Sequence, residues 1–186
     1  MDTRPLTGEP LALDLVNTQW VAGGRRRDLL ATDDGMASWL AEVGMANAPA
    51  RDDTRVALTA ARAAVRAVLE TPGSAGARAA LNAVLDRGRV RRWLHDDGPR
   101  ERAEVDDAAW EPAWRAAADL LDLLARAPDR VRRCGNPECV LYFLDTSKNG
   151  SRRWCAMATC GNRLKARRHQ HRAGQPPAPP RPGAGT

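Results

Sequence analysis

Four cysteines, Cys134, Cys139, Cys155 and Cys160, are the only ones in 186 residues, and they follow the spacing Cys-x4-Cys-x15-Cys-x4-Cys. Two close pairs separated by a longer connector are what a tetrahedral thiolate site requires. Each pair sets two sulfurs about 2.3 Å from one zinc ion, and the connector brings the second pair across to complete the shell. Two disulfides could staple the same loops. However, Met1 to Thr18 lacks the basic start, apolar run and cleavage site of a secretory signal, so reducing surroundings are expected, where disulfides are rare. An iron–sulfur cluster also accepts four thiolates, but neat pairs around a turn favour zinc. Four cysteines leave no open position for water or substrate, so the expected metal is one structural Zn2+ rather than a catalytic one.

Charge marks the same segment. Residues 129–172 carry 11 Lys or Arg against Asp129, Glu138 and Asp145, a net charge of +8, whereas residues 1–128 carry 17 Arg and 20 carboxylates. A compact basic module on a mildly acidic body points to a polyanionic partner, most often nucleic acid. On an ideal helix Lys165, Arg168 and Arg172 fall within about 60° of one another, and Arg163 with Arg167 forms a second stripe. Lys148 at a turn tip, with Arg152 and Arg153 on the returning chain, extends the candidate DNA-contacting set. Arg152 or Arg153 could instead hydrogen-bond the thiolates. His169 and His171 read as surface groups, Trp154 and Phe143 as a miniature core, and Tyr142 as a candidate base-stacking platform. Arg25-Arg26-Arg27, after Gly23-Gly24, reads as a solvated loop rather than a binding patch.

The elements that must position these residues are short. Val140 to Asp145 is a strand candidate, Ser147-Lys148-Asn149-Gly150 holds an N-G turn signal, and Ser151 to Trp154 returns to the third cysteine. Cys155 to Arg172 reads as a helix entry and helix. Knuckle, hairpin and ligand-bearing helix describe a treble-clef finger. About 40 residues bury too little apolar surface to fold unaided, whereas structural zinc in finger peptides contributes roughly 10–16 kcal/mol.

Upstream, residues 1–128 read as a helix-dominated domain with a small sheet. Thr32 caps a helix carrying Met36, Trp39, Leu40 and Val43, with Gly44 past its end. A second helix runs from Asp53 to Glu70 with a stripe of Val56, Ala60, Ala63, Ala64, Ala67 and Val68. A third starts near Ser74 and buries Leu81, Val84 and Leu85. Arg89 to Leu94 and Arg100 to Val105 predict a hairpin, covered by a long helix bearing Trp110, Trp114, Leu120, Leu121 and Leu124. Leu11, Leu13 and Leu15 alternate with Ala12 and Asp14, which predicts a strand. Asp14, Asn17 and Thr18 could line a small-molecule pocket or close a turn. Residues 173–186 form a proline- and glycine-rich tail that reads as disordered. The fold class is therefore α+β, divided at 1–128, 129–172 and 173–186. No membrane span is apparent, and no nucleophile, base and orienter can be assembled from spacing, so an enzyme is not expected.

The run Cys134-Gly135-Asn136-Pro137-Glu138-Cys139, then Phe143 to Gly150, Arg152 to Met157, and Cys160-Gly161-Asn162-Arg163-Leu164-Lys165 resembles the CGNR zinc finger. Leu11 to Thr18 resembles the opening of the ABATE domain that accompanies this finger in bacterial proteins described as stress-induced transcription regulators. The resemblance implies a treble-clef finger that binds double-stranded DNA beside a mixed α/β domain. The expectation is thus a zinc-dependent, stress-responsive DNA-binding transcription regulator, cytoplasmic and associated with the nucleoid, with a small-molecule effector and a homodimer as further expectations. The alternative is a finger that binds protein or RNA beside a ligand-binding domain. An amino-terminal enzyme and a thiol sensor that ejects zinc on oxidation are further readings.

Overall fold

The computed structural model describes residues 4–162. Thr32 and Ser74 each accept a hydrogen bond from a backbone N–H three residues on and so start helices α2 (Asp33–Glu42) and α4 (Ala75–Leu85). Gly44, at φ 76°, takes the left-handed conformation that ends α2. The remaining helices are α1 (Leu11–Val16), α3 (Asp52–Glu70) and α5 (Glu111–Arg126). Three antiparallel strand pairs complete the α+β fold: β1 (Gln19–Ala22) with β2 (Arg25–Asp28), β3 (Gly88–His95) with β4 (Gly98–Val105), and β5 (Val131–Arg133) with β6 (Tyr142–Leu144).

Leu11 to Val16 is a helix, not the strand that its alternation predicts. Alternation signals a strand only when one face meets water, and here Ala12, Leu13, Asp14, Leu15 and Val16 are all buried. Helix α1 lies against α3 and α5 and contributes Leu13, Leu15 and Val16 to the main core. Asp119 on α5 accepts the Ala12 N–H at 2.9 Å, satisfying a donor that α1's own first turn leaves open.

The buried face of α3 also differs from the expected stripe. Thr54, Ala57, Leu58, Ala61, Ala64, Val65 and Val68 face inward, while Val56 is 64% exposed and Ala60 and Ala63 are exposed. Leu58 and Val65 bury more apolar surface than any alanine, so they orient the helix. The outward alanines serve it only as good helix formers.

Hairpin β3–β4 forms as the sequence predicts, with His95 paired to Gly98 across Asp96-Asp97. It is not covered by α5, whose buried residues are Pro112, Ala113, Trp114, Ala116, Ala117, Leu120 and Leu123. These pack on α1, α3 and α4, and Leu121 stays exposed. The hairpin meets α5 through β4 and at Gly88, where a Cβ would lie 3.0 Å from the Trp114 ring and 2.8 Å from Val105. Beyond that point the hairpin stands off the body.

Candidate metal centre and its junction with the helical domain

The strand Val140–Asp145 is shorter than expected and does not fold back on Ser151–Trp154, which is irregular. Strand β6 pairs instead with β5, upstream of the first cysteine, in the register Val131↔Leu144 and Arg133↔Tyr142. That ladder continues into the knuckle: the Cys134 N–H donates to Leu141 O, Gly135 N–H to Arg153 O and Cys139 N–H to Asn136 O, each at 2.9 Å. At the other pair, Ala156 O accepts from both Cys160 N–H (3.1 Å) and Gly161 N–H (3.3 Å), in a π-type turn over Met157–Gly161. At Gly161 a Cβ would overlap the Met157 sulfur, so glycine lets that side chain fold over the turn.

All four cysteines are buried and free, and their sulfurs lie within 4.8 Å of one another. Cys139 and Cys155 sulfurs are 3.8 Å apart, and those of Cys155 and Cys160 3.6 Å. Four sulfurs around zinc at 2.3 Å define a tetrahedron of edge about 3.8 Å, whereas a disulfide needs about 2.0 Å. The donor set therefore fits the metal that the spacing predicts, and the centre takes one structural zinc, held by Cys134, Cys139, Cys155 and Cys160. Hydrogen bonds reach the sulfurs as well. Asn136 Nδ2 donates to Cys160 Sγ, and Cys155 N–H donates to Cys134 Sγ, both at 3.4 Å. Hydrogen bonds from the Cys139 and Cys155 thiols hold Cys134 down at about 2, and the same contacts push Cys139 up to about 12 and raise Cys155. Without a cation one sulfur takes the negative charge at its neighbours' expense, and a dication supplies the charge that lets all four ionise.

The basic residues divide sharply. Arg152 is bound into the structure: it donates to Cys155 O (2.5 Å), Trp154 O (3.1 Å) and Leu144 O (3.3 Å), lies 3.5 Å from Glu9, and stacks 4.3 Å from the Phe143 ring. Its place is thus inside the finger's packing and not on a free basic face. Lys148 and Arg153 are exposed, Arg153 lying over the Trp154 ring at 5.3 Å. Arg163, Lys165, Arg167, His169, His171, Arg168 and Arg172 lie outside the described residues, as do most of the expected helix and the 173–186 tail.

Finger and helical domain are joined by paired hydrogen bonds. Asn17, fully buried, donates to Tyr142 O (2.8 Å) and accepts from Tyr142 N–H (2.9 Å). Glu9 accepts from Leu144 N–H at 2.8 Å. Burial pushes the Glu9 carboxyl up, and the Leu144 N–H and Arg152 offset only part of that. Tyr142 itself is buried in the core of the helical domain, so it is not the expected stacking platform. Phe143 fulfils its expected role: with Leu141, Trp20 and the four cysteines it forms a second buried cluster, against which Trp154 packs.

Asp14, Asn17 and Thr18 do not gather around one cavity. Thr18 is buried, donating to Leu15 O and accepting from Arg62, while Asn17 is spent on Tyr142. Asp14 borders a cavity of about 530 Å3, shared with Arg4, Glu9 and Glu42. It accepts from Arg4 (2.5 Å), Trp39 Nε1 (2.9 Å) and Gly8 N–H (3.0 Å). Sequence reasoning missed Asn136, whose side chain also accepts the Glu138 N–H, and Asp145. Asp145 accepts from Ser147 N–H and Oγ and from Arg152 N–H. The bonds from Ser147 hold the Asp145 carboxyl below the usual range. An Asx residue two positions before the Glu138 and Ser147 amides was the available signal.

Fold and site together define a helical domain that carries a four-cysteine zinc finger. The family model described as CGNR zinc finger matches residues 130–173. The ABATE model, described as a putative stress-induced transcription regulator, matches residues 9–127, well over half of the chain. The chain belongs to the ABATE family and bears a CGNR zinc finger. Comparison with curated proteins gives no match. Neither family description names a reaction. Among the described residues no helix is long and apolar enough to cross a membrane.

Proposed function

We propose that this chain is a transcription regulator that binds double-stranded DNA through its zinc-held finger, in the cytoplasm and on the nucleoid. The observation that carries this reading is the charge asymmetry: residues 129–172 bear +8 against a nearly balanced body, and Lys148 and Arg153 are exposed on the finger. Four thiolates on one zinc subtract two, which leaves about +6 for a polyanion. Zinc folds the module and takes no part in chemistry. The metal-ligating set is Cys134, Cys139, Cys155 and Cys160. The phosphate-contacting set is Lys148, Arg153, Arg163, Lys165, Arg167, Arg168 and Arg172.

Arg163→Ala combined with Arg168→Ala is expected to abolish duplex binding while zinc content stays at one per chain. Retained duplex binding overturns the assignment of these arginines, and RNA bound in preference to duplex overturns the DNA reading. Neutralising about five phosphates gives a slope of log affinity against log salt near −4.5.

The helical domain supplies self-association. Val90, Leu94, Pro99 and Ala103 share one face of the β3–β4 hairpin, with Arg92 and Glu101 paired across its middle. Leu94 is 83% exposed, and an isolated two-stranded hairpin is marginal in water. Arg92 and Glu101 are complementary to themselves across a twofold axis, so the occupant of this face is a second copy of the chain. The cavity at Arg4, Asp14 and Glu42 is the place for an effector.

A further inference from the structure

The main helical domain is nearly neutral in charge, yet its longest run of arginines sits on a hairpin that packs against the finger. Strands β1 and β2 form a hairpin whose tip, Gly23-Gly24, holds both residues at positive φ (56° and 74°). Arg25, Arg26 and Arg27 follow, and all three are exposed. Their direction comes from the ladder. Trp20 pairs with Arg27 and Ala22 with Arg25, so these four side chains share one face of the hairpin. Trp20 is buried in the same cluster as the four cysteines, Leu141 and Phe143, and Ala22 packs on that cluster. The face that carries Arg25 and Arg27 is therefore the face turned to the metal centre.

Arg26 points the other way, toward α3. Asp28 shares that face and pairs with Arg62 of α3, and one turn on, Arg66 donates to Val140 O in the finger's connector at 3.3 Å and lies over the Tyr142 ring. Arg133 sits opposite Tyr142 in the β5–β6 ladder. Arg25 and Arg26 thus stand exposed on the two faces of the hairpin's tip, beside the junction of the two parts. The carboxylates along it are already engaged: Asp28 with Arg62 and Gln19, Glu70 with Arg66, and Asp145 with Ser147 and Arg132. Exposed arginines held side by side on a folded hairpin, with the nearby carboxylates already paired, suit a repeating phosphate backbone and not a single anion.

We propose that the β1–β2 hairpin is a second DNA-contacting element, in which Arg25 and Arg26 grip backbone phosphates flanking the duplex segment held by the finger. This rests on the DNA reading above and extends the interface from the finger into the ABATE domain. These arginines contact phosphates and carry no base readout, so they add affinity and orientation without changing sequence preference. They also answer a physical need, since a single small finger offers few contacts and a second arm raises affinity through one rigid scaffold.

The test uses the full chain loaded with zinc and a fluorescently labelled duplex of mixed sequence, with binding followed by anisotropy across a salt series. Arg25→Ala with Arg26→Ala is expected to weaken binding on the order of tenfold or more at 0.1 M salt. Two lost phosphate contacts should also make the salt slope shallower by about 1.8. Arg25→Lys with Arg26→Lys keeps the charge and should restore most of both. Zinc content and melting temperature equal to wild type show that the hairpin still folds, as expected for exposed side chains. An affinity within about twofold of wild type with an unchanged slope overturns this inference. If Arg163→Ala with Arg168→Ala loses binding in the same series, the finger reading survives that result. A wild-type chain that binds anionic vesicles and no duplex overturns both.

Discussion

At the scale of single residues, Asn17 shows how a buried amide can serve two parts of a chain at once. Its side chain meets both backbone groups of Tyr142 across 125 positions of sequence. Asn17→Ala leaves a buried N–H and a buried C=O without partners, at about 1–3 kcal/mol each, so a loss of about 2–6 kcal/mol is expected. A lower urea midpoint at unchanged m-value checks it. Asp28 gives a pH signature. Burial pushes its carboxyl up, and the hydrogen bonds from Arg62 and Gln19 more than reverse that, so its folded value lies below the unfolded one. Its contribution is complete above the unfolded value of about 3.9 and is lost as pH falls through the folded value. Arg62→Gln should therefore flatten the acid limb of a melting-temperature profile, and an unchanged limb refutes that role. The four ligands were legible as residues because thiolate chemistry and spacing are local facts. Asn17 was legible only as polar, since its partner lies on another element.

Among the elements, local signals and tertiary demands part company. Helix α2 was readable end to end because Thr32 and Gly44 act on backbone within their own turns. Helix α1 was not, because burial on all sides erases the distinction between alternation and helical period. The N-G signal at Asn149-Gly150 marked a real turn, but Asp145 organises it through side-chain bonds, and β6 takes its ladder partner from upstream. The exposed β3–β4 hairpin yields a prediction at this scale. Val90→Lys with Leu94→Lys should convert a dimer to a monomer in sedimentation velocity without changing helix content. A wild-type chain that is monomeric at micromolar concentration excludes the self-association.

Across the whole molecule, the zinc centre and the helical domain share structure. Trp20 of β1 lies in the cluster of the cysteines, while Tyr142 of β6 lies in the core of the helices. Because zinc binds the folded finger, its free energy stabilises whatever the finger braces. Chelation should thus lower the melting temperature of the helical signal by about 5–10 °C, the equivalent of about 2–3 kcal/mol in a chain of this size. Cys160→Ser should do the same and reduce bound zinc in elemental analysis. Helices that melt at the same temperature with and without metal would show that the two parts fold independently. The sequence alone determined the metal, its ligands, the basic character of the finger and most helix boundaries, because ligand spacing, caps and turn residues act over a few positions. Tertiary structure decided the rest: that Leu11–Val16 is helical, that Arg152 packs inward, that β6 pairs with β5, and that Arg25 faces the finger. Each depends on which distant surface a segment meets, and burial against a partner outweighs the weak preferences of short stretches of chain.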